Sequence, residues 1–277
     1  MESVLITGCS SGIGLCLAKE LKKSGYRVFA SARKQSDVDE LTQMGFEAVM
    51  LDLDSSESIK QAVNTIHQKV SCLYGLIHNG AYGQVGALED ISRQVLEKQF
   101  QTNVFGWHEL TNLVLPKMKS NKQGRIIYLS SVLGFVAMPF RGPYNASKFA
   151  IEGLVDTLRL ELSNTNIQLS LIQPGPIESK FRANAYQAFK QNVDMDNSDY
   201  QHNYKKMIER LNTDELADYT LPATAVFDCV IHALTAKRAK NHYWVTFPTK
   251  LLAVLKRILS SRIMDKILNK AGGGGKR

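Results

Sequence analysis

Residues 3–14 read SVLITGCSSGIG, and the reading of this stretch decides the fold. The first five are mostly apolar, with β-branched residues among them, the composition of a buried strand. Gly8, Gly12 and Gly14 follow at G-x3-G-x-G spacing, and Ile13, Leu17 and Leu21 then recur at helical spacing. A strand, a glycine turn and an amphipathic helix in that order let the backbone pass close to a pyrophosphate at the positive end of the helix. The spacing differs from the G-x-G-x-x-G dinucleotide fingerprint but serves the same physics.

Outward from there, apolar strand patterns recur at 26–31, 46–51, 73–78, 126–129, 167–173 and 243–247. Between them lie helical patterns. One is capped by Ser55 with Ser58 and runs to about residue 69, one spans 91–119, and others cover 144–162 and 223–236. Strand–helix crossovers in series imply the α/β class: a Rossmann-type, doubly wound parallel sheet of about seven strands, helices on both faces, ligand at the carboxyl edge. The pattern predicts a single domain over 1–248. Within it, residues 178–221 are polar and weakly periodic, which reads as a substrate loop or lid. Residues 249–270 form a basic amphipathic C-terminal helix, and 271–277 a flexible tail.

The net charge of +8 is concentrated at one end. From Lys237 onward there are eleven Lys/Arg against one acid, Asp265, so the rest of the chain carries −2. A nucleic-acid role for the main domain has no support. In 250–270, Leu251, Leu255, Ile258, Leu259, Ile263, Ile267 and Leu268 form an apolar stripe against Lys256, Arg257, Arg262, Lys266 and Lys270. Such a helix lies on an anionic membrane, packs on its own domain or meets a partner subunit. No apolar run approaches the roughly 18–20 residues of a membrane span, and a strand starting at Ser3 leaves no room for a signal peptide. Cys9, Cys16, Cys72 and Cys229 show no CxxC spacing and read as reduced thiols of a cytoplasmic protein. The six histidines show no ligand spacing, so no metal is expected.

The chemistry concentrates in 125–148, RIIYLSSVLGFVAMPFRGPYNASK. A strand, a serine pair and an apolar loop lead to a helix opened by Pro143, a residue suited to a first helical turn. Tyr144 and Lys148 stand at i and i+4, on one helix face. An ammonium beside a phenol favours phenolate, which fits a tyrosine for proton transfer. Ser131 lies thirteen residues before the tyrosine, just past the strand. A second Tyr-x3-Lys, Tyr186 and Lys190, has Gln173 at the equivalent place and no strand leading in. At the end of the second strand, where an NAD site wants a carboxylate, stand Ala32, Arg33 and Lys34. Arg33 can fork onto a 2′-phosphate, which selects NADP(H).

These motifs together resemble the short-chain dehydrogenase/reductases over about residues 3–247. The matching residues are Thr7-Gly8-x3-Gly12-Ile13-Gly14, Asp52, Asn79, Asn103, Ser131, Tyr144-x3-Lys148 and Pro174-Gly175-Pro176-Ile177. The wording is most similar to the branch of hydroxysteroid and retinol dehydrogenases and bacterial NADP-dependent aldehyde reductases. The resemblance implies that Tyr144 protonates the carbonyl oxygen as hydride arrives. It implies that Lys148 lowers the tyrosine pKa and binds the nicotinamide ribose, that Ser131 holds the substrate oxygen, and that Asn103 holds a water feeding protons through Lys148. The expected cofactor contacts are Gly8, Ser10, Ser11, Gly12, Ile13, Arg33, Lys34, Asp52 at the adenine edge, Leu53, Asn79, Gly80, Tyr144, Lys148, Pro174, Ile177 and Ser179. The family usually reads Asn-Asn-Ala-Gly after the fourth strand. Here His78-Asn79-Gly80-Ala81 inverts the last pair, which predicts weaker or shifted cofactor binding and a structural His78. A homodimer or homotetramer through the Asn103 and Tyr144 helices is a further family implication.

The hydrophobic loop Leu133, Phe135, Met138 and Phe140, with Tyr82 and Phe181, is the expected lining for a small apolar carbonyl or alcohol. The sequence thus predicts an NADP(H)-dependent carbonyl reductase working in either direction. The alternatives are a steroid or retinoid alcohol dehydrogenase of the same mechanism, or a non-catalytic NADP(H) sensor.

Overall fold

Every residue of β1 (Ser3–Ile6) and β4 (Gly75–His78) is buried, as central parallel strands covered on both faces require. Around them the computed structural model, which describes residues 1–212 and 216–272, arranges the chain as alternating strands and helices. In order these are β1, α1 (Gly12–Lys23), β2 (Arg27–Ala32), α2 (Gln35–Gln43), β3 (Glu47–Met50), α3 (Ser56–Lys69), β4, α4 (Arg93–Phe100), α5 (Gly106–Ser120), β5 (Gly124–Leu129), α6 (Gly142–Glu161), β6 (Ile167–Gln173), α7 (Phe181–Asn192), α8 (Gln201–Asn212), α9 (Thr224–Thr235), β7 (His242–Trp244), α10 (Phe247–Ile258) and α11 (Ser261–Ala271). The seven strands pair in parallel in the order β3-β2-β1-β4-β5-β6-β7. Strand order reverses between β1 and β4, the switch point where such sheets bind ligands.

Two apolar layers cover the sheet. Leu5, Leu76, Ile126 and Leu169 point into one, against Ile59 of α3, Trp107 of α5 and Ile151 of α6. Val4, Ile6, Ile77 and Ile172 point into the other, against Leu17 of α1, Leu41 of α2 and Val230 of α9. The alternation of neighbours such as Val4 and Leu5 between layers is the period-2 geometry of a strand.

Several segments differ from the sequence-based expectation. The helix expected over 91–119 starts at Arg93, where the Ser92 hydroxyl accepts from the Val95 amide, and it is interrupted by a π turn at Gln101–Phe105. The polar segment 178–221 contains two helices, α7 and α8. Ala185, Phe189 and Tyr204 bury together with Val85 and Ala87, and the Tyr204 hydroxyl accepts from the Ala87 amide (2.8 Å) and donates to Asp90. The single helix expected over 249–270 is two, α10 and α11, because Leu259 and Ser260 are extended (ψ 148° and 155°). The tail expected over 271–277 begins as the end of α11, with Gly272 against Pro139, and 273–277 lie outside the described residues.

Candidate active site

The turns after β1 and β4 meet at the switch point. The Thr7 hydroxyl accepts from the amides of Asn79 (2.9 Å) and Gly80 (2.8 Å), and the Asn79 side-chain amide donates to the carbonyls of Thr7 (2.8 Å) and Gly8 (2.9 Å). Asn79 therefore ties the two turns together. Gly8 has φ +71°, and a Cβ there would stand 2.6 Å from Gly80 Cα, so this approach admits only glycine at position 8. The inverted Gly80-Ala81 order suits it: Gly80 faces Gly8, while the Ala81 methyl packs into the core layer around Trp107.

Helix α1 begins at Gly12, with an extended Ser11 whose hydroxyl makes no capping bond. The first-turn amides of α1 thus keep their donors for an anion. Ser10 is exposed, and Ser11 and Ile13 are half-buried. Ser179 arrives from the far side of the sheet and covers the turn, so that a Cβ on Gly12 would lie 3.1 Å from its Cβ. Pro174 fixes the same edge by accepting from Val132 N (2.8 Å), and Ile177 pairs with Leu221 as an isolated bridge. Beyond β2, Arg33 and Lys34 are exposed, and neither forms an ion pair among the described residues. Asp52 has one carboxylate oxygen on the Asp54 amide (3.1 Å), whereas Leu53 is buried in the core. A free helix start, close-packed glycines and cations past β2 fit the pyrophosphate and ribose of a dinucleotide.

The catalytic candidates converge beside this cradle. Tyr144, Lys148, Ser131 and Asn103 are all buried. Ser131, extended at the end of β5, accepts from Leu133 N (3.1 Å) and lies close enough to the Tyr144 phenol to favour its ionised form. The Lys148 ammonium donates to the Leu129 carbonyl (2.7 Å) and sits 4.4 Å from the Trp107 ring centroid and 5.6 Å from that of Tyr144. The Asn103 amide donates to Tyr82 O (2.9 Å) and Ser147 Oγ (3.1 Å) and accepts from Tyr82 N (3.2 Å). Its side chain braces the loop after β4 against α6. The π turn presents it there, the kind of helical irregularity that concentrates at functional sites.

Burial pushes the Tyr144 phenol up to about 12, opposed by the neighbouring Ser131 hydroxyl. Burial also pushes Lys148 down to about 7, opposed by the Glu152 charge. Glu152 is not among the residues expected from the sequence, although Tyr144, Lys148 and Glu152 continue a single i, i+4, i+8 row. It accepts from Gln173 Nε2 (2.9 Å) and from the Ser130 hydroxyl, and burial raises its pKa. His78, by contrast, is structural: it stacks on Trp107 and Tyr128, bonds Thr111 (2.8 Å) and is held neutral by burial, its pKa down to about 3.

Leu133, Phe135 and Met138 gather with Tyr144 and with Leu252, Met264 and Leu268 of α10 and α11. Phe181 closes over the tyrosine, ring centroids 5.2 Å apart, and Gly83 leaves room for it, since a Cβ there would lie 2.6 Å from the Phe181 ring. Tyr82 is half-buried nearby, its hydroxyl without a hydrogen-bond partner among the described residues. Phe140 is not part of this group. With φ +60° it turns away and packs edge-on against Tyr200 and Tyr204.

A family model described as short chain dehydrogenase matches residues 2–190. The chain is a short-chain dehydrogenase. This short-chain dehydrogenase is 45% identical over 268 residues to the uncharacterized oxidoreductase YbbO of Escherichia coli K12, covering 96% of the chain and 94% of the relative. It is 40% identical over 190 residues to human retinol dehydrogenase 8, covering 65% and 60%. It is 30% identical over 282 residues to an NADPH-dependent 3-dehydrocapnine reductase of Ornithobacterium rhinotracheale, covering 98% and 97%. Its fold also matches a Burkholderia phymatum family member solved with NAD (21% identity, TM-score 0.76, 92% of each chain) and a serine dehydrogenase complexed with NADP+ (21%, 0.76, 89% and 95%). As a member of this family it is an NAD(P)-binding oxidoreductase of the alcohol–carbonyl pair. Among the described residues no helix is long and apolar enough to cross a membrane.

Proposed function

We propose that this short-chain dehydrogenase is an NADP(H)-dependent carbonyl reductase acting on an apolar aldehyde or ketone, or on its alcohol in the reverse direction. The observation that carries the reading is the buried convergence of Ser131, Tyr144 and Lys148 beside the glycine turn. When bound, the dinucleotide supplies the hydride. The Tyr144 hydroxyl gives its proton to the carbonyl oxygen, and Ser131 holds that oxygen within reach of the phenol. The Lys148 charge stabilises the phenolate left behind, and Glu152 supports that charge inside the protein. Asn103 fixes the Tyr82 loop that borders the pocket.

NADP(H) is favoured by Arg33 and Lys34 past β2, with no acid at the position where a ribose hydroxyl would be accepted. The NADPH-dependent relative supports the same choice. An apolar substrate is favoured by the wall of Leu133, Phe135, Met138 and Phe181. The likeness to retinol dehydrogenase 8 makes a retinoid alcohol a second substrate class to test.

The test is oxidation of NADPH, and separately of NADH, with medium-chain and aromatic aldehydes, then with retinal. The expected outcome is turnover with NADPH preferred, and Arg33→Glu reversing the preference. Equal use of NADH by the wild type overturns the Arg33 argument. Cofactor binding without turnover of any of these substrates points instead to a sensor.

A further inference from the structure

Helix α10 has two apolar faces, and among the described residues one is buried in the domain while the other is largely exposed. Leu252 and Ala253 turn inward, and Leu252 with Met264 and Leu268 of α11 covers Leu133, Val136 and Tyr144. Phe247, Leu251, Val254 and Ile258 turn outward. Their spacing of four, three and four puts them in one row along the helix. Their exposures are 59%, 44%, 46% and 72%, and Tyr219, itself 60% exposed, extends the row with its ring tilted against Phe247, centroids 5.5 Å apart. A contiguous apolar surface of this kind on a folded domain marks a contact site.

The charge around the row selects the occupant. Lys250 stands four residues before Val254, and Arg257 three after it, so both flank the row, Arg257 lying over the Trp244 ring at 5.7 Å. From Lys237 onward the sequence holds eleven basic residues and one acid. A second copy packed through the same face would set one strongly basic surface against another. An anionic bilayer offers acyl chains to the row and phosphates to its flanks.

We propose that the outer face of α10 docks on an anionic membrane surface, with α10 lying in the interface and Phe247, Leu251, Val254 and Ile258 inserted. The proposal is independent of the substrate and cofactor readings, since it uses only the outer face. The test is sedimentation of the full chain with vesicles of phosphatidylcholine mixed with phosphatidylglycerol, and with phosphatidylcholine alone. The fluorescence of the two tryptophans is followed in parallel. Pelleting on the mixed vesicles is expected, suppressed by salt, with a blue shift from Trp244 because Trp107 is fully buried in the core. Leu251→Gln/Val254→Gln/Ile258→Gln changes only exposed positions and leaves the circular dichroism unchanged. It is expected to lower vesicle partitioning by on the order of tenfold or more, and Lys250→Glu/Arg257→Glu by a similar factor. Three results each overturn the proposal: no pelleting of the wild type, equal pelleting of wild type and triple variant, or equal pelleting on neutral vesicles. So does a wild-type dimer in gel filtration that the triple variant dissociates, which would give the face to a second copy.

Discussion

The chain contains the same row of side chains twice. On α6 it is Tyr144, Lys148 and Glu152; on α7 and just beyond it is Tyr186, Lys190 and Asp194, again a phenol, an amine and a carboxylate at four-residue steps. On α7 the lysine lies over its tyrosine at 4.6 Å, closer than the 5.6 Å on α6. Yet Lys190 is exposed, and Asp194 is held low by a hydrogen bond from Asn197 at the surface. On α6 all three groups are withdrawn from water, burial shifts the ionisation of each, and Lys148 and Glu152 act on one another. The motif alone confers no chemistry. In the proposed mechanism, Ser131 at the end of β5, the core layer under Lys148 and the cofactor edge beside it set the α6 copy apart.

The sharpest way to break this comparison is to remove the phenol from each copy. Tyr144→Phe is expected to cost on the order of 10²–10⁴ in the rate of NADPH-dependent aldehyde reduction, whereas Tyr186→Phe leaves the rate within experimental error. A large loss from Tyr186→Phe would mean the two rows had been assigned the wrong way round. The carboxylates come next. Glu152→Gln removes the charge that supports the Lys148 ammonium, and a loss of roughly tenfold in kcat/KM near neutral pH is expected. Asp194→Asn changes nothing measurable in the same assay.

The pH profile sharpens the contrast further. In the proposed mechanism, reduction needs a protonated Tyr144 and a charged Lys148. Because Lys148 is pushed down to about 7, the rate should decline as pH rises through that value, and Glu152→Gln should move the decline lower still. Stability has the opposite sign. Between about 7 and the 10.5 of an ordinary lysine, the unfolded chain binds a proton at this residue that the folded chain does not, so folding gains as pH rises. Melting temperatures across this window should show the wild type gaining on Lys148→Met towards the alkaline end. The smallest effect concerns the cover over the α6 row. Phe181→Ala is expected to raise KM for an apolar aldehyde by roughly tenfold or less, with kcat changed less than KM.

Much of the α6 row is legible in the sequence. Strand, serine, helix-opening proline and the Tyr/Lys step are local features, and local features survive translation into structure. The sheet is legible for a related reason: apolar strands alternating with amphipathic helices admit few arrangements. What escapes depends on contacts distant in sequence. Phe140 belongs to the same loop as Leu133, which lines the Tyr144 wall, but the positive φ of Phe140 swings it to the other aromatic cluster. Periodicity cannot foresee that turn. Glu152 goes unnoticed because its partners, Ser130, Gln173 and His242, come from three different parts of the sheet. Helices α7 and α8 are hidden by their polar composition, since only a few residues such as Phe189 and Tyr204 anchor them. The break between α10 and α11 does leave a trace, the pair Ser260-Ser261, but a continuous apolar stripe across it reads as one helix.

A π turn such as Gln101–Phe105 is an α-helix that has accepted a single extra residue. Everything after it is rotated by about 100° relative to an uninterrupted helix. Trp107, whose indole bonds the Gly80 carbonyl (2.8 Å) and whose ring faces Lys148, lies beyond that point. Gln99, which accepts from the Gln84 amide (2.7 Å), lies before it. Both sets of contacts fit only with the extra residue in place. A one-residue deletion here would give a more regular helix and a misaligned enzyme, so the length of this segment is as tightly specified as the identity of its asparagine.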